Sequence, residues 1–111
     1  MVAAVVVLTV RADADVSGRW ELHADFDDRN IPGAIADCMF KQEAERLSGR
    51  CEDATLLGEI KGDTVTWRLT LAGTHDTMVF TGMFPEDEQA VIVGKFSYAG
   101  KGNGSFLAIK R

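Results

Sequence analysis

The chain has few of the side chains on which enzyme and metal chemistry usually depends. Its 111 residues include two histidines, two cysteines and one tyrosine. Neither His23 nor His75 is placed with a serine and a carboxylate as a catalytic triad requires, and two distant histidines are too few for a zinc site. The acidic stretch 25–30 has Arg29 at its fifth position and no glycine at its sixth, unlike an EF-hand. We expect no enzymatic activity, no metal and no cofactor.

Positive charge is also scarce. The chain has 12 basic and 17 acidic residues, a net charge of -5, and its basic residues are scattered singly. Nucleic acids and anionic membranes are bound through clustered positive charge, so we expect neither a nucleic-acid partner nor membrane insertion. No segment has the apolar period of an amphipathic helix, and no glycine loop leads into a helix as a phosphate site would require.

The longest apolar run lies at residues 1–10 and is too short to span a bilayer. Arg11 and then Ala-Asp-Ala at 12–14 follow it, and the A-x-A form is typical of a signal-peptidase site. We expect residues 1–14 to be the end of a secretory signal that lacks its basic leading part. The mature domain would be 15–111, and the protein would be secreted or periplasmic. The alternative is an additional amino-terminal strand.

The clearest local pattern surrounds the two cysteines. Between residues 36 and 52 the side chains alternate with a period of two on both sides of a turn at 44–45, which predicts a β hairpin. Glu43 then faces Arg46, and Cys38 faces Cys51 where antiparallel side chains approach most closely. We predict a disulfide between them. Disulfides persist in oxidising compartments, which agrees with export.

The same alternation continues along the chain and predicts an all-β domain of eight strands. They are expected at 16–26, as two strands within 36–51, and at 56–60, 64–71, 78–84, 92–98 and 104–110. Short turns between evenly spaced strands indicate an antiparallel up-and-down meander, and closure into a small β barrel would remove its exposed edges. Glycines recur two residues before large side chains, as the bending of a small barrel requires. The alternative fold is an open two-sheet sandwich.

One end of such a barrel is the better candidate for a binding site. The connections after strands one, three, five and seven share that end and are mostly the longer ones, so it is the expected mouth. The inward side chains near it form the predicted ligand-binding set: Phe26, Leu56, Leu69, Leu71, Met78, Phe96, Tyr98 and Phe106. The inward glycines either leave space for a ligand or accommodate Trp67 and the phenylalanines.

The two ends of the domain carry a recognisable motif. Gly18-Arg19-Trp20 begins the first strand, and Lys110-Arg111 ends the last one. This arrangement resembles the calycin group, which comprises lipocalins, avidins and small bacterial metalloprotease inhibitors. The resemblance implies that Trp20 closes one end and that Lys110 or Arg111 lies over its ring as a cation–π contact. Gly18, Trp20, Lys110 and Arg111 are therefore the predicted closure residues.

The resemblance also implies function, with departures. The chain is shorter than typical lipocalins and has no helix after the last strand. Gln42 and Tyr98 are the only inward positions with hydrogen-bonding side chains, so an avidin-like polar ligand set is missing. We expect a small apolar ligand in the mouth. The alternative is a protein partner, such as a secreted protease inhibited through exposed loops by a barrel with a filled core. The inhibitors share an early disulfide, but residues 15–17 offer little of their extended amino-terminal segment.

Overall fold

The computed structural model describes residues 15–85 and 89–111, so the predicted signal segment lies outside the described residues. The strands are β1 Gly18–Phe26, β2 Ala34–Glu43, β3 Arg46–Cys51, β4 Ala54–Lys61, β5 Thr64–Thr70, β6 Thr77–Met83, β7 Val91–Tyr98 and β8 Gly102–Lys110. Side chains alternate between the two faces of each strand, as the sequence pattern predicts. The described part of the chain has no helix that could cross a membrane.

The eight strands form one closed antiparallel sheet in chain order. Each strand pairs with its neighbours along the chain, and β1 also pairs with β8. That closing seam places Trp20 opposite Lys110 and Phe26 opposite Gly104. The predicted meander and its closure into a barrel are confirmed, and the open sandwich is excluded because the two outer strands are hydrogen-bonded to each other.

The cysteine hairpin has the predicted register. Glu43 lies opposite Arg46, and Cys38 lies opposite Cys51. The two-residue turn is possible because Ala44 adopts a left-handed backbone conformation, with a φ of 58°. The cysteines are joined in a disulfide, and their Cα atoms are 4.0 Å apart. The predicted disulfide is therefore confirmed.

Aromatic rings fill the axis of the barrel. Consecutive ring centroids in this column are 5.1–5.4 Å apart, and the rings belong in order to Trp20, Phe40, Trp67, Phe80, Phe96 and Phe26. Three of the five contacts are stacked and two are edge-to-face, the arrangements that aromatic pairs favour. The column runs from the end that holds Trp20 to the end that holds Phe26, so the interior is packed with the protein's own side chains.

The inward glycines make room for these rings. A Cβ on Gly82 would lie 2.7 Å from Cζ of Phe106, and a Cβ on Gly104 would lie 2.7 Å from Cε1 of Phe96. Such distances are well below van der Waals contact, so each ring occupies the space that a side chain would need. Of the two interpretations that the sequence left open, the structure supports accommodation of the core and not free space for a ligand.

Gly94 gives a direct test of this packing. A Cβ there would lie 2.5 Å from Cα of Gly82 and closer still to the carbonyl oxygen of Thr81. Both are backbone atoms of the neighbouring strand and cannot rotate away. We expect Gly94→Ala to lower the free energy of unfolding by about 1–3 kcal/mol, as overpacking usually does. Urea unfolding would measure it against Ser97→Ala, an exposed position on the same strand; equal stabilities would contradict the tight fit.

The amino-terminal segment closes one end of the barrel. Trp20 is 1% exposed, and its Nε1 donates a hydrogen bond to the carbonyl oxygen of Val16 at 2.7 Å. The backbone nitrogen of Val16 in turn donates to Oε1 of Gln42 at 2.9 Å, and Gln42 N donates to Oγ of Ser17 at 2.9 Å. This end, with Trp20 under the incoming chain, is called the sealed end below.

The cation expected over the Trp20 ring has other partners. Lys110 lies opposite Trp20 on the neighbouring strand, but its Nζ donates to the carbonyl oxygen of Asp15 at 3.2 Å. Arg111 binds the carboxylate of Glu21. Within residues 15–85 and 89–111, the cation–π contact is that of Lys101 over Tyr98, and the one implied for Trp20 is absent. The carbonyl oxygen of Asp15, in the segment before β1, is a better partner for an ammonium than a ring already stacked on Phe40.

Glu21 holds the closing seam together on the outside of the barrel. Its carboxylate hydrogen-bonds Nε2 of His23 at 3.0 Å and also accepts from the guanidinium of Arg111. The hydrogen bond with His23, and after it the one with Arg111, hold the pKa of Glu21 below its usual value. The site is exposed, so these contacts fix the position of the last residue more than they add stability.

Candidate functional site: the barrel mouth

The two ends of the barrel differ in how completely their inner faces are covered. At the sealed end, the inward side chains Leu47, Val65 and Ile92 are fully buried, and among the apolar side chains described there Phe84 is partly exposed. At the other end several apolar side chains pack on the core but stay partly exposed: Phe26, Ala36, Leu71, Met78 and Tyr98. The mouth predicted from loop lengths is thus the end at which apolar surface is left open.

The eight predicted ligand-binding residues all lie on the inner face but at different depths. Phe26, Leu71, Met78 and Tyr98 are partly exposed and form what we call the rim. Leu56, Leu69, Phe96 and Phe106 are buried and form the floor. Leu56, Leu69, Met78 and Tyr98 are consecutive partners across β4 to β7, which makes them one continuous row. The structure therefore brings most of the set together.

Phe106, a member of the floor, packs against the aromatic column. Its ring packs edge to face on Trp67 and on Phe80, with centroid distances of 5.2 Å to each. Phe26 lies at the rim, with its ring 5.2 Å from Phe96 and 6.3 Å from Tyr98. Phe26 is therefore the link between the rim and the filled core, whereas Phe106 contributes to the core alone.

Two charged residues that the sequence set omits flank Tyr98. Its Oη donates to Oδ2 of Asp76 at 3.5 Å, and Nζ of Lys101 lies 5.7 Å from the centre of its ring. Both come from loops at the mouth: Asp76 from the β5–β6 connection and Lys101 from the β7–β8 connection. The connections after strands five and seven were predicted to share the mouth end, and that shared end is the signal in the sequence that could have pointed to these two residues.

The β5–β6 loop owes its shape to His75, whose φ of 63° is left-handed. The backbone nitrogen of His75 donates to the carbonyl oxygen of Leu71 at 3.1 Å, and Leu71 N donates back across the loop to the carbonyl oxygen of Asp76 at 2.9 Å. The loop is thereby closed on itself, with Asp76 held toward Tyr98 and the His75 side chain exposed. His75 acts here through its backbone.

Two open grooves lie outside the barrel wall. A groove of about 340 Å³ runs along β4, β5 and β6; outward residues such as Leu57 and Arg68 line it, together with Gly58 and Trp67. A wider groove of about 780 Å³ follows the β7–β8 loop, and Tyr98 is the only predicted mouth residue in its lining. The rings of Phe96 and Phe106 occupy the space beside the inward glycines Gly104 and Gly82. Of the two possibilities left open by the sequence, a filled barrel and one with a pocket beneath the rim, this packing agrees with the filled barrel.

The polar groups at the mouth form one small cluster around Tyr98. In the part of the chain that the structure describes, no three histidine, cysteine, aspartate or glutamate side chains are grouped so as to hold a metal ion. Tyr98 supplies a hydroxyl, Asp76 a carboxylate and Lys101 an ammonium, and all three lie beside the apolar surface of the rim. This arrangement can orient a mostly apolar molecule that has a single polar group.

No protein-family model and no curated protein sequence matches the chain. Two solved structures do resemble it. One is a redesigned β barrel, mFAP1, bound to DFHBI, with 16% sequence identity, a TM-score of 0.63, and coverage of 86% of this chain and 94% of that one. The other is the redesigned β barrel b11L5F_LGL, with 11% identity, a TM-score of 0.68, and coverage of 86% and 90%. Similarity at this level of identity shows a shared fold.

Proposed function

We propose that this chain is a small-ligand-binding β barrel that takes an apolar ligand at its mouth. The observation that carries the proposal is the difference between the two ends. Trp20 and the entering chain cover the sealed end, whereas Phe26, Leu71 and Met78 leave apolar surface partly exposed at the other. Covering such surface is favourable by about 25 cal/mol per Å².

The rim suits a ligand with an apolar body and one polar end. The body would cover Leu71 and Met78, and the unbranched thioether side chain of Met78 can adjust to different shapes. The polar end would meet Tyr98, Asp76 and Lys101, whose mutual contacts already hold them in place. One of the two similar barrels is bound to a small molecule, DFHBI, which supports a barrel of this kind as a ligand-binding scaffold.

The proposal extends to location and class. The Cys38–Cys51 disulfide supports an oxidising environment, and with the signal-like start at residues 1–14 we propose a secreted or periplasmic protein. The closed eight-stranded meander with Trp20 at one end supports a calycin-type barrel. We propose a binding role without catalysis.

A paired substitution tests the mouth as the binding site. We expect Nile red, a neutral apolar dye, to bind with increased fluorescence, and Leu71→Asp to weaken binding about tenfold or more because a carboxylate would be desolvated on the rim. Leu57→Asp is the control: it places the same charge on the outer wall, where Leu57 is 63% exposed, and should leave the affinity unchanged. If Leu57→Asp weakens dye binding and Leu71→Asp does not, the ligand binds in the outer groove instead of the mouth. If the wild-type protein does not bind Nile red, the proposal is wrong.

A second candidate is supported by the filled core and by the shape of the loop at 27–33. Its backbone is fixed by hydrogen bonds from Asp27 N to the carbonyl oxygen of Asn103 at 2.9 Å and from Ile31 N to that of Asp28 at 3.1 Å. A loop held in one conformation loses little entropy on binding a protein. Inhibition of a secreted protease that Arg29→Ala abolishes, with Nile red binding absent, would favour this candidate.

A further inference from the structure

The two tryptophans of the barrel are equally buried but differ in one respect. Trp20 and Trp67 are each 1% exposed. Nε1 of Trp20 donates to the carbonyl oxygen of Val16 at 2.7 Å, whereas Nε1 of Trp67 has no acceptor among the described residues. A buried indole N–H usually has a partner, because leaving it unpaired costs free energy. The unpaired donor of Trp67 therefore calls for an explanation.

Trp67 occupies the axis of the barrel. It projects from β5, and its ring lies 5.3 Å from that of Phe40 on β2 and 5.2 Å from that of Phe106 on β8. In a closed order of eight strands, β1 lies opposite β5, with β2 and β8 on either side of it. Contacts with both of these strands place the indole across the middle of the interior.

The same residue lies directly beneath the mouth. In the sheet, Trp67 is the partner of Phe80, and the next inward row toward the mouth is Leu69 with Met78. Two residues along a strand correspond to about 7 Å. Met78 is partly exposed, and its unbranched side chain can move aside, so a ligand that displaces it would cover the rings of the Trp67 layer from above and reach its polar atom after a small shift of those rings.

We propose that Trp67 Nε1 is the hydrogen-bond donor for the ligand, and that the ligand class is an apolar molecule with a carbonyl or similar acceptor at its inserted end. This inference rests on the proposed binding function and specifies its chemistry. The floor offers apolar contacts to the body of the ligand from Leu56 and Leu69, and the unpaired donor selects molecules whose acceptor enters first. Selection follows because an apolar molecule without an acceptor leaves the donor unpaired.

Acetophenone and ethylbenzene are suitable probes, since they have nearly the same shape and differ in one carbonyl. In proton–nitrogen spectra of the wild-type protein, the two tryptophans give two indole signals, assigned with Trp20→Phe and Trp67→Phe. We expect acetophenone to move the Trp67 signal downfield and to leave the Trp20 signal in place. Ethylbenzene should produce no downfield shift of either signal. Trp20 is the internal control because its N–H already has an acceptor.

Affinities give a second readout. We expect the ratio of acetophenone affinity to ethylbenzene affinity to fall about threefold to tenfold in Trp67→Phe, the effect of one net hydrogen bond, and to be unchanged in Trp20→Phe. Using a ratio cancels the general effect of a smaller side chain on the site. If Trp67→Phe does not fold, the wild-type spectra decide alone.

Three results would overturn the inference. If both probes bind and neither the Trp67 signal nor the ratio responds to the carbonyl, the donor is not used, while the proposed apolar site survives. An upfield Trp67 proton that acetophenone does not move would show that a ring face accepts the hydrogen bond. If neither probe nor Nile red binds, the proposed function fails together with the inference.

Discussion

Replacing Trp20 by alanine is expected to lower the free energy of unfolding by about 3–5 kcal/mol, the range for truncation of a large buried aromatic side chain. Trp20 stacks on Phe40 with a centroid distance of 5.4 Å, and its Nε1 holds the entering chain through Val16. The substitution removes the end of the aromatic column and the anchor of the segment that covers it. Both losses act at the sealed end.

Urea unfolding monitored by tryptophan fluorescence would measure the effect, since Trp67 remains as a reporter. Trp20→Phe is the matched control: it keeps a ring against Phe40 and removes the hydrogen bond to Val16, so it should cost clearly less than the alanine variant. A Trp20→Ala protein as stable as the wild type would show that the sealed end contributes little to the fold.

Loss of the Cys38–Cys51 disulfide is expected to destabilise the barrel by about 3 kcal/mol. The two cysteines are 13 residues apart, and the chain-entropy model assigns this value to a closed loop of that size. Both cysteines are buried on the inner face of the hairpin. A Cys38→Ala/Cys51→Ala variant therefore also tests whether the core packs without the disulfide.

Unfolding of the oxidised wild type, the reduced wild type and the double alanine variant would separate the effect of the disulfide bond from the effect of the two side chains. We expect the reduced protein and the variant to have similar stabilities, both below the oxidised protein. Intact mass after alkylation would verify the redox state of each sample. Two reactive thiols in the oxidised native protein would contradict the disulfide.

Local patterns were sufficient to predict much of this fold. The alternation around residues 36–52 predicted which residues of β2 and β3 face each other, because a hairpin with a two-residue turn has one register that buries its apolar side. Closure followed from the number of strands and from their short turns. The first strand was predicted to begin at residue 16, but β1 begins at Gly18. Val16 instead lies across the sealed end, where its carbonyl oxygen accepts a hydrogen bond from Trp20.

The side-chain contacts across the barrel were not predictable in the same way. Lys110 was expected over Trp20 because the two are strand neighbours, yet its ammonium reached the carbonyl oxygen of Asp15, 95 residues away. Whether the glycines left space depended on where the rings of Phe96 and Phe106 turned. The orientation of each of these side chains depends on side chains from several strands at once. The spacing of residues along one strand therefore does not predict it.

The seam between β1 and β8 also bears on how the barrel forms. Its outer clamp joins Glu21 to Arg111, residues separated by 90 positions, so this pairing is the least local in the sheet. Contacts between distant parts of a chain form slowly, because loop closure costs entropy before any contact compensates. Until the seam closes, the meander has two bare edge strands that can pair with another molecule. Refolding should therefore be most prone to aggregation before the last step, and dilution at that stage should raise the yield of closed barrel.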